Sequence, residues 1–438
     1  MRLALAAVLI LGVAAVPAGA AWDEAERASV GPMDATSPDV ALNARGDAAA
    51  AWVRGTGRSR QIVVSYKPVG GGWSRPEAIS RRGRPAIDPK VAVAPDGRVV
   101  VVWRQVARSR VVRVGGARRA QAVYVARARE RPLVAERWEP IVTLSSPRQK
   151  VGRVFLGVDG RGLAVAAWHW GTGTRPADPG YVGQVQLSER VLGGAWSAPI
   201  RASTASGCVQ VRRPRAAVWW QCDLGRGRSV AAAVARGPDE PFGAEARLAI
   251  VGDREISADL AIGPDGRAVA VSATGAGLRW WRGPVSAAGV ALAELPAAGT
   301  AERLGRGVGS PRIAVGSSGD ALSAWIAAGG VTRAAPIAGD LGVAAPLTLG
   351  QDRTASRVRV AVGRERLGAV AWLSEGRVLA VARGADGNTS PRSALSRPGV
   401  SSSQPPALAM DEGGSAVAMW SRRIGGRSVV ERAGYLSP

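Results

Sequence analysis

The sequence predicts an all-β protein, a β-propeller of eight four-stranded blades, with seven blades as the alternative. Three observations support this prediction. A short sequence motif recurs along the chain, each repeat unit contains four apolar runs, and the first residues after the N-terminal leader match the last strand of a repeat. The motif, as in residues 90–103, consists of two apolar runs on either side of a polar turn and ends in tryptophan. Its closing positions lie 47 to 65 residues apart, at Trp52, Trp103, Trp168, Trp220, Ser272, Trp325, Trp372 and Trp420. Such a period indicates one supersecondary unit used many times.

The first twenty residues have the pattern of a secretory signal peptide. Arg2 precedes a continuous apolar run at residues 3–16, and Ala18-Gly19-Ala20 is a small-residue cleavage site. We expect cleavage after Ala20 and export to the bacterial cell envelope or exterior. No later segment reaches the roughly 18 apolar residues of a spanning helix. Residues 21–438 are therefore predicted to form a single propeller domain without a transmembrane segment.

The four strands of a blade are clearest in the second repeat. They are predicted at residues 91–94, 99–103, 122–126 and 138–144, with Asp96-Gly97 as the tight turn of the first hairpin. Four antiparallel strands repeated at this period are typical of a propeller. The fourth copy lacks Asp-Gly and the fifth ends in Ser272 instead of tryptophan, which keeps seven blades open.

The two ends of the chain predict how the ring closes. The eighth repeat stops after its third strand, at residues 428–433. Residues 22–29, Trp-Asp-Glu-Ala-Glu-Arg-Ala-Ser, resemble the fourth strand of the first repeat at residues 73–80. We therefore expect the N-terminal segment to complete the last blade, which leaves no open sheet edge.

Tryptophan at a fixed position of each blade favours core packing between blades, because its side chain buries a large apolar area. The aspartates of the hairpin turns, Asp96, Asp159 and Asp265, are interpreted as turn residues and not as calcium ligands. Only one histidine and two cysteines are present, so no metal site or cofactor is expected. In an exported chain, Cys208 and Cys222 are most simply one disulfide.

The chain carries a net charge of +24, and only three of its 58 basic residues are lysine. This excess of arginine has two interpretations. One is a surface that attracts polyanions. The other is the compositional bias of a GC-rich bacterium, combined with solubility.

Two loops on one face of the predicted propeller contain candidate binding residues. The loop after Trp103, residues 104–120, carries arginines that could grip carboxylate, phosphate or sulfate, or could be a solvated mobile segment. The loop after Trp168 has a composition suited to sugar stacking, or to a long ordered turn. The candidates are Arg108, Arg110, Arg113, Arg118 and Arg119 in the first loop, and His169, Trp170 and Tyr181 in the second.

A third candidate group lies where the inner strands begin, at the mouth of the central channel. It consists of Asp39, Asp259, Arg312 and Arg357, which either bind a ligand in a concave site or are ordinary charges near solvent.

The blades resemble those of secreted bacterial β-propellers of the sialidase-like and WD40-like kind. The turn Pro95-Asp96-Gly97, with Trp103 six residues after the glycine, departs from the Ser-x-Asp-x-Gly-x-x-Trp box of sialidases. The Gly-His and Trp-Asp marks of WD40 blades are missing as well. The resemblance therefore implies an architecture and no activity.

These observations predict an exported, non-catalytic, monomeric propeller. It would bind a glycan, an anionic envelope polymer or a protein through the loop face of blades two and three. The alternative is a carbohydrate-active enzyme, a sialidase-like glycoside hydrolase or a lyase, using Arg and Asp at the channel mouth. A purely electrostatic polyanion binder is a third hypothesis, and nucleic acid is not an expected partner.

Overall fold

Eight antiparallel sheets arranged as propeller blades form the protein, in a computed structural model. The structure describes residues 21–437 except 115–116, 133–136, 172–182, 191–193, 205–207, 213–216, 226–227, 237–240, 249–254, 264, 275–276, 287, 298–310, 340–341 and 401–403. The predicted signal peptide, residues 1–20, lies outside this range. Eight blades are confirmed, including the two degenerate repeats. Within the described ranges, no helix has the length and apolar character needed to cross a membrane.

Each blade places its first strand at the channel and its fourth strand outside. Blades one to four comprise, in this order, Ala35–Leu42, Ala48–Arg54, Gln61–Lys67 and Glu77–Ala78; Ala86–Val93, Val99–Val114, Ala117–Arg131 and Val142–Thr143; Lys150–Val158, Ala164–Gly171, Gln184–Arg190 and Ile200–Arg201; Cys208–Arg212, Ala217–Gly225, Arg228–Ala235 and Ala246–Leu248.

The second half of the ring repeats this plan. Blade five adds a short fifth strand, Gly289–Val290, and 3₁₀ turns occur at Gly57–Ser59 and Ala328–Gly330. Blades five to eight comprise Glu255–Ile262, Arg267–Thr274, Gly277–Ser286 and Ala293–Glu294; Arg312–Val315, Ala321–Ile326, Val331–Ile337 and Leu347–Gln351; Ser356–Val362, Gly368–Ser374, Arg377–Arg383 and Ser393–Ala394; Ala407–Met410, Ala416–Ile424, Arg427–Tyr435 and the N-terminal Glu26–Arg27.

The repeated tryptophans form the core between blades, as predicted. All seven are at most 1% exposed, and Ser272 takes the same position in blade five at 0%. In blades one, two and seven, the first strand has a two-residue bulge directly opposite the tryptophan, for example between Thr36 and Asp39 opposite Trp52. Bulges of this kind re-aim the neighbouring side chains, and they set which residues face the channel.

The N-terminal segment closes the ring, which confirms the prediction from the two chain ends. Glu26 lies opposite Arg432 in the third strand of blade eight. The Ser29 hydroxyl accepts a hydrogen bond from the amide of Val430 at 3.0 Å, just as Ser80 accepts one from Ile62 at 2.9 Å in blade one. The N-terminal strand therefore occupies the same place as a fourth strand inside the chain.

The hairpin turns between the first and second strands of the blades lie together on one face of the propeller, here called the turn face. Asp96, Asp159 and Asp265 each accept the amide hydrogen of the residue two positions later, at 3.0 to 3.1 Å. Gly97 and Gly266, directly after Asp96 and Asp265, adopt positive φ of 85° and 71°, a conformation that side chains disfavour. The interpretation of these aspartates as turn residues is confirmed.

Candidate functional site

A two-stranded ribbon projects from blade two on the face opposite the turns, here called the loop face. The first strand of the blade pairs with the second as far as Gln105, and beyond that point residues 106–124 pair only with each other. The prediction of a loop at residues 104–120 is therefore wrong, because the described part of this segment forms two paired strands. The four valines at residues 106–114 favour an extended strand, whereas the arginines among them favour a solvated loop.

The ribbon concentrates positive charge at an exposed position. Arg108, Arg113 and Arg118 are exposed, and Arg113 lies directly opposite Arg118. The backbone register also sets Arg110 opposite Gln121 and Arg119 opposite Val112. Residues 99–129 contain no aspartate or glutamate. Like charges directly opposite each other in a sheet are unfavourable, so this arrangement favours an anion that would relieve the repulsion.

Sequence reasoning missed the basic segment beside the foot of this ribbon. Arg81-Arg82-Gly83-Arg84 follows the fourth strand of blade one and leads to the first strand of blade two. The buried Gln105 donates from Nε2 to the carbonyl oxygens of Arg81 and Arg84, at 3.3 and 3.1 Å. The four-residue run, in a connection on the loop face, was the signal that could have shown it.

Two candidates of blade three, His169 and Trp170, lie in the second strand, which runs to Gly171. The expected loop therefore starts later than predicted. His169 is 2% exposed and meets the Phe155 ring edge-on, with centroids 5.7 Å apart. Trp170 is partly buried against the core of blades two and three. Tyr181 lies outside the described residues.

The surroundings of His169 keep its imidazole neutral. Burial, followed by the positive charges of Arg153 and Arg104, lowers its pKa to about 3. A general base works best with a pKa near the operating pH and within reach of the substrate. His169 fulfils neither condition, so it belongs to the core and not to a reactive site.

The register of the inner strands decides which residues lie at the channel mouth. Asp39, Lys90, Asp259, Arg312 and Arg359 pair with the residue just before the repeated tryptophan position of their blades.

Arg357 is displaced from this position. It lies two residues earlier, inside the bulge of blade seven, exposed and with φ of 59°. Arg359 takes the place expected for Arg357, because the bulge adds residues that the sequence pattern does not reveal.

Two aspartates of this group fasten neighbouring blades. Asp39 accepts the amide hydrogen of Val91 at 2.9 Å, and Lys90 Nζ lies 3.8 Å from its other carboxylate oxygen. Asp259 repeats the arrangement four blades further on, with the amide of Ile313 at 3.2 Å and Arg312 Nη1 at 3.9 Å.

These contacts indicate a mainly structural role for the two aspartates. Burial raises the pKa of the Asp39 carboxyl, although Lys90 and the Val91 amide oppose that rise.

The backbone of blade four places its two cysteines opposite each other. Cys208 begins the first strand and pairs with Cys222 of the second. Antiparallel partners have Cα separations of about 4.5 to 5.5 Å, which suits a disulfide. Their side chains lie outside what the structure describes, so the disulfide stays a prediction. In the described part of the chain, no cluster of three or more His, Cys, Asp or Glu side chains could hold a metal.

Comparison with known proteins identifies a shared fold. No protein-family profile matches the sequence, and no curated protein sequence matches it. The lectin BP39L from Burkholderia pseudomallei is similar in structure, with 12% identity over 83% of this chain and 100% of the lectin, at a TM-score of 0.51.

Two further similar structures have lower scores. A protein of unknown function from Dyadobacter fermentans shares 11% identity over 96% of this chain and 100% of its own, at 0.45. An α-L-arabinanase from Penicillium chrysogenum shares 11% over 95% and 96%, at 0.42.

Proposed function

We propose that this protein is an exported, non-catalytic propeller that binds an anionic polymer, such as an acidic glycan, through the loop face of blades two and three. The observation that carries the proposal is the ribbon of blade two, where Arg113 lies opposite Arg118 and no acidic residue intervenes. A guanidinium group binds carboxylate, phosphate or sulfate through two parallel hydrogen bonds. Several such groups on a projecting ribbon suit an extended polyanion better than a small neutral ligand.

The architecture is compatible with glycan binding. The similar structure above a TM-score of 0.5 is described as a lectin, which supports a carbohydrate ligand for this propeller as well. A protein partner and purely electrostatic binding are the other possible outcomes of the test below. Each differs from binding of an acidic glycan in how the affinity depends on salt concentration and on sugar structure.

The test compares two triple variants with the same change in charge. Arg110, Arg113 and Arg118 become alanine in the ribbon variant. The matched control replaces Arg58, Arg353 and Arg397, which are exposed in other connections of the loop face. Binding to dextran sulfate, polyglutamate and neutral dextran is measured by surface plasmon resonance at several salt concentrations.

We expect the ribbon variant to lose at least tenfold in affinity for the anionic polymers, and the control to stay within about threefold, because only the ribbon groups its charges closely. A preference for dextran sulfate over polyglutamate that persists at high salt would indicate recognition of the glycan, and the reverse preference would indicate a protein partner. Binding that vanishes with salt for both polymers indicates electrostatics alone, since the Debye length falls to about 3 Å at 1 M. Equal losses in both variants would contradict the proposal.

The alternative is a carbohydrate-active enzyme, and one observation favours it. Asp39 has a raised pKa at the channel mouth, and a carboxyl with a raised pKa can act as a general acid. Product analysis after incubation with acidic polysaccharides and sialosides would test this alternative. Turnover that disappears in Asp39→Asn, or in a variant of the candidate residue Tyr181, would contradict the non-catalytic proposal and support the enzyme.

A further inference from the structure

Three arginines lie near one another at the boundary between blades one and two, beside the foot of the ribbon. Arg81 and Arg84 come from the connection after the fourth strand of blade one, and Arg127 comes from the third strand of blade two. None of the three belongs to the exposed end of the ribbon. They are therefore a separate cluster, here called the foot cluster.

Hydrogen bonds hold the connection against the ribbon. Gln105 Nε2 donates to the carbonyl oxygens of Arg81 and Arg84, and the Arg84 guanidinium donates to the carbonyl oxygen of Ala107. Gln105 is fully buried, and it pairs with Ala86 of the first strand and Val125 of the third. The backbone of this connection is thus fixed beside the ribbon, and the Arg84 guanidinium is held by the carbonyl oxygen of Ala107.

Arg127 faces this connection with part of its hydrogen-bonding capacity unused. One of its terminal nitrogens contacts the hydroxyl of Thr143, and its Nε is buried with no hydrogen-bond partner among the described residues. Burial, and then the charges of Arg81 and Arg84, lower its pKa. Every charged group acting on Arg127 in this way is therefore another arginine.

Arg129, in the same strand, is an arginine whose hydrogen-bonding groups and charge both have partners. Arg129 Nε donates to the Glu139 carbonyl at 2.6 Å and Nη1 donates to the Ile79 carbonyl at 3.0 Å. Glu77 supplies a compensating negative charge. Arg129 therefore links blades one and two, whereas Arg127, two residues earlier, has no comparable compensation.

We propose that the foot cluster binds a tetrahedral oxyanion, the sulfate or phosphate monoester group of a larger ligand. Three guanidinium groups offer more donors than the three oxygens of such a group can use, and they compensate its charge where water is partly excluded. The inference deepens the proposed function by naming the chemical group recognised, but it stands on residues outside the ribbon end.

The experiment measures binding of two small probes, glucose 6-sulfate and glucose 6-phosphate, by isothermal titration calorimetry at constant ionic strength. Wild type is compared with Arg127→Gln, with the double variant Arg81→Ala/Arg84→Ala, and with the Arg58→Ala control. The double variant changes only exposed side chains, so it keeps the test valid if Arg127→Gln is destabilised. Circular dichroism and thermal unfolding check that each variant is folded.

We expect saturable binding of at least one probe, reduced at least tenfold in both foot-cluster variants and changed less than twofold in Arg58→Ala. Stronger binding of the phosphate ester would indicate a phosphorylated ligand, since that ester carries more charge near neutral pH. Equal or stronger binding of the sulfate ester would indicate a sulfated glycan.

Failure here is distinguishable from failure of the proposed function. The triple ribbon variant should keep its affinity for the small ester while losing affinity for the polymer. If wild type binds neither ester, or if both foot-cluster variants bind as wild type does, the foot cluster is not an oxyanion site. Polymer binding through the ribbon is tested independently of that result.

Discussion

The two faces of blade two use arginine in opposite ways. On the turn face, Glu130 lies between Arg98, 3.4 Å away, and Arg190 of blade three, 3.1 Å away, and Arg190 also contacts Glu139 at 2.8 Å. On the loop face, the ribbon end and the foot cluster hold arginines whose described charged neighbours include no comparable carboxylate. The first arrangement joins blades, and the second leaves donors for a ligand.

This difference shows why the number of arginines says little about function in this chain. Burial raises the pKa of Glu130 even though Arg190 and Arg98 oppose the rise, so its ion pairs offset a desolvation penalty. What separates a structural arginine from a binding arginine is the partner of its guanidinium group. The following predictions test that distinction, from the largest effect to the smallest.

Removing residues 22–29 should have the largest effect, because it deletes the paired contacts that close the ring. The change removes Glu26, the partner of Arg432, and Trp22, whose ring centroid lies 5.4 Å from that of Tyr435. We expect the free energy of unfolding to fall by about 5 kcal/mol or more, from lost aromatic burial and strand hydrogen bonds. Thermal unfolding measures it, and an unchanged melting temperature would contradict the closure.

Glu130→Ala should destabilise the protein by about 3 kcal/mol, because it removes the buried carboxylate that two largely buried guanidinium groups share. Glu130 is 2% exposed, and the side chains of Arg190 and Arg98 are 10% and 14% exposed. Urea unfolding of this variant is compared with Glu24→Ala, an exposed carboxylate that should have little effect. Similar midpoints for the two variants would show that the turn-face network does not stabilise the fold.

The pH dependence of stability tests whether the imidazole of His169 is buried and neutral. Its pKa is depressed to about 3 in the folded protein, against about 6.5 when unfolded. Its contribution is therefore present above pH 6.5 and is lost as the pH falls toward 3. Between pH 7 and pH 5 the loss should be about 2 kcal/mol.

The chain has one histidine, so the variant His169→Gln should remove this part of the pH dependence and leave that of the carboxylates. Urea unfolding at pH 7 and pH 5 gives the difference between the two proteins. NMR of the single imidazole measures the pKa directly, provided that no histidine tag is present. A native pKa above 6 would show that the side chain is hydrated.

The triple ribbon variant should have the smallest effect on stability. Exposed side chains outside packed features usually change the free energy of unfolding by less than about 0.5 kcal/mol. Removing the like-charge pair Arg113 and Arg118 should, if anything, stabilise the ribbon. A loss above 2 kcal/mol in urea unfolding would place the ribbon arginines among the structural ones.

The sequence predicted the fold well because the repeat records it several times. The tryptophan represented by Trp103 and the turn Asp96-Gly97 both recur, so a single drifted copy does not hide the period. The likeness of residues 22–29 to residues 73–80 also predicts the closure that the structure shows.

The candidate site was predicted less well, since it depends on features that do not repeat. The bulge before Arg359 shifts the channel residue by two positions, and the arginines among the ribbon's valines favour a loop where the structure has strands. His169 lies in a strand and not in the predicted loop, because that strand continues past Trp168. The foot cluster contains residues 81 and 127, which are far apart in sequence and come together only in the tertiary structure. No local sequence pattern could therefore predict it.

The closing strand has a consequence for the order in which the protein folds. Most blades consist of strands that are neighbours in sequence, so each sheet can form soon after its residues become available. The pairing of Glu26 with Arg432 spans 406 positions, the kind of distant contact that slows folding. The ring therefore closes only once residues 431–432 are available, and until then the strand Glu26–Arg27 has not reached its partner. Until then blade eight keeps an unpaired edge, which makes the unfinished chain vulnerable to association with other chains.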